Sequence, residues 1–98
     1  MSNVFIDTNR ISEFCEKWKV AELALFGSVL REDFREDSDV DVLVTFRPDA
    51  HIGLIGLCEM ELELSSIIGR KVDLVTKKGL KPLVRDAVLS HVETLYAA

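Results

Sequence analysis

Apolar residues with helical spacing predict three helices in this chain. The first covers residues 11–18, where apolar positions recur at i, i+3, i+4 and i+7, and residues 7–9 offer polar caps for its first turn. A longer helix is predicted over 57–68, with Gly69 as the residue that ends it. A last helix is predicted over 80–88.

Runs rich in β-branched and other apolar residues predict the strands. AELALF (21–26), VDVLVTF (40–46) and VDLVT (72–76) are each bounded by turn-forming or charged residues. The tail HVETLYA (91–97) is predicted to add a short edge strand, and a short helical turn is expected after Gly27. Helices that alternate with strands in this order predict an α/β fold, with helices covering one or both faces of a small sheet.

Length and composition bound the class of protein. A chain of 98 residues can build one core, so a single domain over 1–98 is expected. No apolar run approaches the roughly 20 residues of a membrane span, and the N-terminal segment lacks the features of a signal peptide. We therefore expect a cytoplasmic protein without membrane contact.

Cys15 and Cys58 lack metal or redox spacing and are expected to be reduced core residues.

The net charge of −5 is concentrated in the N-terminal half. Residues 1–49 hold 6 basic and 11 acidic side chains, whereas residues 50–98 hold 6 of each. Binding to a nucleic acid backbone needs a basic face, so direct contact with nucleic acid is not expected. The six basic residues between 70 and 85 form the one locally basic region, and a solvated surface is the simpler interpretation of it.

Most of the acidic excess lies in GSVLREDFREDSDVD (27–41). Side chains alternate in direction along a strand, so Asp39 and Asp41 are expected to point to the same side of the sheet. Asp73 is the one charged residue inside the predicted strand 72–76. If these two strands are neighbours, three carboxylates converge on one patch.

Three carboxylates close together repel one another unless a cation lies between them. Carboxylate oxygens suit Mg²⁺, which keeps coordination positions for water and phosphate. The Gly27-Ser28 turn fits beside such an ion, because glycine allows close approach of a phosphate and the following amides and the serine hydroxyl can donate to it.

A simpler interpretation remains open for the acidic residues. Asp39 and Asp41 could be caps or strand-edge acids on a solvated turn, and only their spacing from Gly-Ser together with Asp73 favours a metal site. The other acids of the loop are interpreted as solvated charges, and Arg31 and Arg35 as residues that can serve as their counter-charges.

The whole pattern resembles the minimal nucleotidyltransferase family of the DNA polymerase β-like superfamily. The residues that carry the resemblance are LALFGS, the run SDVDVLV, KVDLVT and the ending LKPLVRDAVLSHVETLYA. The resemblance covers nearly the whole chain. It implies a small mixed β-sheet of three or more strands, flanked by about four helices.

The resemblance also implies roles for the acidic residues. Asp39 and Asp41 would bind a pair of Mg²⁺ ions, and Asp73 would share one of them and help to deprotonate the incoming hydroxyl. The implied reaction is attack of an acceptor hydroxyl on the α-phosphate of ATP, with pyrophosphate as the leaving group.

On the phosphate side, the same resemblance implies that Gly27 and Ser28 hold the β- and γ-phosphates. Arg31 falls where relatives often have arginine and would reach a phosphate or the partner. Proteins of this size and family are paired with a HEPN-domain ribonuclease toxin, to which they transfer AMP on a tyrosine. The resemblance therefore implies an antitoxin enzyme with ATP as substrate and a HEPN toxin as partner.

Two other functions remain open at this point. The chain could be an antitoxin that neutralises its partner by binding alone, or it could transfer nucleotides to RNA or to a small molecule. The presence together of Ser28, Asp39, Asp41 and Asp73 favours the enzyme, because a site that had lost its activity would be expected to lack at least one of them.

Overall fold

The computed structural model describes residues 6–27, 39–79 and 91–97. These ranges contain two α helices, α1 (Thr8–Lys17) and α2 (Leu54–Ile68), and four strands, β1 (Val20–Phe26), β2 (Val40–Phe46), β3 (Val72–Thr76) and β4 (Glu93–Ala97). A 3-10 turn, Lys77–Gly79, follows β3. The strand order is β3-β2-β1-β4. β1 pairs antiparallel with β2 and β4, and β2 pairs parallel with β3, so the mixed sheet that the family resemblance implies is confirmed.

The strands form where the sequence predicts them. β2 and β3 have the predicted bounds, β1 begins one residue earlier, and the tail supplies the edge strand β4. Alternate valines of β2 are fully buried in one apolar cluster with residues of both helices. Asp41 points the other way, and so does Leu43, which is buried as well.

α1 is capped and buried as its sequence predicts. The carboxylate of Asp7 accepts hydrogen bonds from the amides of Asn9 and Arg10 at 3.1 and 3.3 Å, which satisfies two donors of the first turn. Phe14 and Cys15 pack into the core on the inner face of the helix. Burial raises the pKa of the Cys15 thiol to about 12, although Arg47 nearby favours the thiolate.

α2 begins three residues earlier than predicted and ends at the predicted glycine. Gly69 has φ of +78°, and its amide donates to the carbonyl of Ser65 at 2.8 Å. The first-turn residues Leu54 and Ile55 are exposed, so they do not belong to the buried stripe from which the helix was predicted. Cys58 also lies on the exposed side of α2, so the expectation that both cysteines are core residues is wrong for Cys58.

The expectation of about four helices is not borne out by the described part of the chain, which has two α helices. Periodicity identifies α1 and α2 because both bury one face on the sheet. The predicted turn after Gly27 and the predicted helix over 80–88 lie outside the described residues. Within the described ranges, no helix has the length and apolar character that a membrane crossing requires.

The burial pattern of α2 makes a direct prediction about stability. Leu64 is fully buried whereas Leu62, two positions earlier on the same helix, is 73% exposed. Leu64→Ala is expected to lower the free energy of unfolding by about 2–5 kcal/mol, because it leaves a cavity, and Leu62→Ala by less than about 0.5 kcal/mol. Urea denaturation of both variants measures the difference. Equal losses would contradict the orientation of α2.

A polar cluster joins the two helices and makes stability depend on pH. Trp18 Nε1 donates to Glu63 at 2.6 Å, and Lys17 Nζ donates to the other carboxylate oxygen at 3.0 Å. Burial alone would raise the pKa of Glu63, but the hydrogen bonds from Trp18 and Lys17 outweigh it and bring the pKa below its usual value of 4.5.

A carboxylate with a lowered pKa stabilises the folded state above its usual pKa, and this contribution disappears as the pH falls through the lowered value. Glu63→Gln should therefore destabilise the protein at pH 7 but have a progressively smaller effect as the pH falls below 4.5. Unfolding free energies of both proteins across this range measure the effect. A difference that stays constant at all pH values would contradict this role of Glu63.

Candidate functional site

The predicted carboxylates lie at the start of two neighbouring strands. In the parallel pair, Asp41 is opposite Asp73 and Val40 is opposite Val72. The amide of Val40 donates to the carbonyl of Lys71 at 2.8 Å, so pairing begins at the first residue of β2. Paired strands lie roughly 4.8 Å apart, which makes the two aspartates direct neighbours. β2 and β3 are therefore neighbouring strands, as the predicted site requires.

The aspartates differ from their neighbours in exposure. Val40 and Val42 are fully buried among the helices, whereas Asp41 is half-buried and Asp73 is exposed. Asp39 is exposed as well and precedes β2 by one residue. Alternation along an extended chain places Asp39 on the side of Asp41, away from the valines.

Gly27 brings the end of β1 against Asp41. The last residue of β1, Phe26, pairs with Asp41, and Gly27 follows with φ of +76°, a conformation that favours glycine. A Cβ at position 27 would overlap Asp41 Oδ2 and lie 3.2 Å from Asp41 Cγ. Glycine is therefore needed here for backbone conformation and for space. The predicted phosphate-binding residue and a predicted metal ligand are in contact distance.

Two side chains of α2 hold the backbone on both sides of Asp73. The amide of Val72 donates to Ser65 Oγ at 3.1 Å, and the amide of Leu74 donates to Glu61 Oε2 at 3.0 Å. Sequence reasoning assigned no role to Glu61 or Ser65. The feature of the sequence that could have identified them is their i, i+4 spacing. It places two polar residues side by side near the apolar face of a helix.

The predicted ligands are of the chemical type that a hard divalent cation prefers, although the described residues do not assemble them into a metal-binding cluster. Carboxylates of Asp41 and Asp73 in register, with Asp39 two residues from Asp41, are the oxygen ligands that Mg²⁺ prefers. The Asp41 carboxylate itself lies where a Cβ at position 27 would be, so the backbone of Gly27 and this carboxylate are direct neighbours. In residues 6–27, 39–79 and 91–97, no three acidic, histidine or cysteine side chains are arranged as a metal-binding cluster.

Two predicted site residues, Ser28 and Arg31, lie outside the described residues, as do the other acids of the loop 29–38. The structure therefore brings together Gly27, Asp41 and Asp73, and places Asp39 next to them in the chain.

The contact between Gly27 and Asp41 leads to a prediction with a matched control. Gly27→Ala and Gly69→Ala should each lower the unfolding free energy by about 1–2 kcal/mol, because both positions have left-handed backbone. A Cβ at Gly69 meets no atom within 4 Å, so only Gly27→Ala should displace the Asp41 carboxylate. The ¹³C shift of the Asp41 carboxyl group measures the displacement, and an unchanged shift in Gly27→Ala would contradict the described contact.

Comparison with known proteins agrees with this geometry. Residues 9–94 match the nucleotidyltransferase domain family. A protein from Methanocaldococcus jannaschii, named as a candidate protein adenylyltransferase, is 42% identical over 74 residues, which are 74% of this chain and 74% of that protein. The protein adenylyltransferase MntA from Thermococcus cleftensis is 40% identical over 80 residues, which are 82% of this chain and 79% of that protein.

Solved structures share the fold. A crystal structure of a toxin–antitoxin with AMP-PNP has a TM-score of 0.75 at 22% identity, over 95% of this chain and 75% of that chain. The complex of a tri-AMPylated HEPN toxin from Shewanella oneidensis with an MNT antitoxin has a TM-score of 0.67 at 22% identity, over 93% of this chain and 70% of that chain. The match over residues 9–94, the two adenylyltransferase relatives and the Gly27–Asp41–Asp73 arrangement agree: this chain belongs to the nucleotidyltransferase domain family.

Proposed function

We propose that this protein is a Mg²⁺-dependent antitoxin enzyme that transfers AMP from ATP to a hydroxyl group, that of a tyrosine, on a HEPN-domain ribonuclease toxin. The observation that carries the proposal is the approach of Gly27 to Asp41, beside Asp73 on the next strand. In nucleotidyl transfer a phosphate chain and a metal-binding carboxylate must lie next to each other, and the contact between Gly27 and Asp41 supports such an arrangement.

The proposed reaction assigns a task to each residue. Asp39, Asp41 and Asp73 would hold two Mg²⁺ ions, which would supply positive charge to the phosphate oxygens and the leaving group. Asp73 accepts the proton of the tyrosine hydroxyl, whose oxygen then forms a bond to the α-phosphorus of ATP. The bond from that phosphorus to the bridging oxygen of the β-phosphate breaks, and pyrophosphate leaves. Positioning and charge neutralisation supply most of the effect.

Gly27 and Ser28 are proposed to bind the β- and γ-phosphates. The left-handed conformation of Gly27 supports this role, since a glycine without a side chain lies directly against Asp41. For Ser28 and Arg31 the support is the sequence alone: a hydroxyl donor directly after the turn, and a cation three residues later that can reach a phosphate or the partner.

The partner and the nucleotide are inferred from the relatives. Relatives at about 40% identity are named protein adenylyltransferases, and structures of the same fold include a complex with AMP-PNP and an AMPylated HEPN toxin with its antitoxin. A single nucleotidyltransferase domain over 1–98 is proposed, with the toxin contributing most of its own binding surface. The net charge of −5 argues against RNA as the acceptor.

A transfer assay tests the proposal. The protein is incubated with Mg²⁺, ATP labelled at the α-phosphate and its HEPN partner, and the Asp39→Asn/Asp41→Asn variant is compared with the wild type. Label should appear on the toxin and should fall by about 100-fold or more in the variant, because the metal ligands are lost. Asp49→Asn is the matched control, since Asp49 lies just beyond the other end of β2 and pairs with Lys19 on the surface.

The same assay separates the alternatives. Toxin neutralised equally by the wild type and the double variant, without label, would indicate an antitoxin that acts by binding. Label on RNA or on a small molecule, and none on the toxin, would indicate a different acceptor. Either result overturns the proposed function.

A further inference from the structure

β3 lies at one edge of the described sheet, and two of its outward backbone donors are satisfied by α2. The carbonyl of Lys71 faces β2, where it accepts from Val40. Because backbone groups alternate in direction along a strand, the amide of Asp73 also faces β2, and the amides of Val72 and Leu74 face outward. Ser65 and Glu61 accept from those two outward amides at 3.1 and 3.0 Å.

Ser65 and Glu61 are themselves fixed relative to each other. Ser65 Oγ donates to the backbone carbonyl of Glu61 at 2.8 Å, one helical turn back, so the hydroxyl is oriented to accept from Val72. The carbonyl of Ser65 accepts from Gly69 at the helix end, three residues before β3 begins. The C-terminal half of α2 and the first residues of β3 are thus joined by side-chain and backbone hydrogen bonds.

The side chain of Asp73 is exposed. The direction of its carboxylate therefore depends on the backbone from which it projects. That backbone is held on the inner side by β2 and on the outer side, one residue before and one residue after, by Ser65 and Glu61. Loss of the hydrogen bond to Ser65 or of the one to Glu61 would allow the backbone of β3 to shift beside Asp73.

We propose that Glu61 and Ser65 are positioning residues that hold Asp73 in the orientation required for Mg²⁺ binding. This inference rests on the proposed function, in which Asp73 is a metal ligand. Residues that orient a metal ligand through hydrogen bonds typically change metal affinity or activity by about 10- to 100-fold when they are replaced. A merely structural role, closure of the β3 edge against other strands, would affect solubility and stability but not Mg²⁺ affinity.

The test measures Mg²⁺ binding directly, in the full chain and without turnover. The amide signal of Asp73 in ¹⁵N-labelled protein is followed while Mg²⁺ is added in the presence of α,β-methylene-ATP, whose α–β bond cannot be cleaved. Glu61→Ala and Ser65→Ala are expected to raise the Mg²⁺ dissociation constant about tenfold. Glu61→Gln and Ser65→Thr keep an acceptor oxygen and are expected to stay within about threefold of the wild type.

Glu59→Ala is the matched control, because Glu59 is an exposed glutamate of the same helix. A double-mutant cycle with Asp73→Asn completes the test, since Glu61→Ala should have no further effect once the ligand that it positions is gone. If Asp73→Asn weakens Mg²⁺ binding while Glu61→Ala and Ser65→Ala behave like Glu59→Ala, the positioning role is overturned and the proposed function stands. If Asp73→Asn itself leaves Mg²⁺ binding unchanged, the assignment of Asp73 in the proposed function fails, and the positioning role with it.

Discussion

β2 and β3 pair in parallel, and this one contact brings together aspartates that are far apart in the chain. A parallel pair cannot be closed by a tight turn, because the chain must return to the same end of the sheet before the second strand begins. The segment that returns it contains α2, whose buried side packs with the valines of β2. Burial of apolar surface by α2 thus sets the register that places Asp41 opposite Asp73.

The antiparallel neighbour β1 supplies the third part of the same corner. Its last residue pairs with Asp41, so the chain leaves the sheet directly beside the carboxylates. Gly27, which follows in a left-handed conformation, lies against Asp41 with no side chain between them. Three chain segments meet at one end of the sheet, and each arrives there through ordinary strand pairing rather than through contacts between the acidic residues.

The elements and their buried faces could be predicted from the sequence, and their pairing could not. Alternation and helical spacing indicate which side of an element is apolar, and they predict the buried valines of β2. Residue type predicts the ends of the helices, with Asp7 as a cap and Gly69 as the residue that ends α2. Periodicity contains no information on which strands are neighbours, so the link between Asp41 and Asp73 rested on the family resemblance. Glu61 and Ser65 were missed for a related reason: a polar residue on a helix looks the same whether it faces water or a strand edge. Cys58 was misjudged because a small apolar residue fits either side of α2.

Because the aspartates are accessible to water, their mutual repulsion should cost the fold little stability. Asp39 and Asp73 are exposed and Asp41 is half-buried, so water reaches the acidic corner. Two like charges 4 Å apart in water repel by only about 1 kcal/mol, far less than they would in a dry interior. The apolar cluster on the opposite face can offset a penalty of this size. In the proposed reaction, the phosphates of a nucleotide would add further negative charge at the same corner, and a cation would be needed there. Asparagine in place of these aspartates should thus remove the proposed chemistry and leave the fold intact. An enzyme can be distinguished from a binding-only antitoxin only with such a variant, which is folded but inactive.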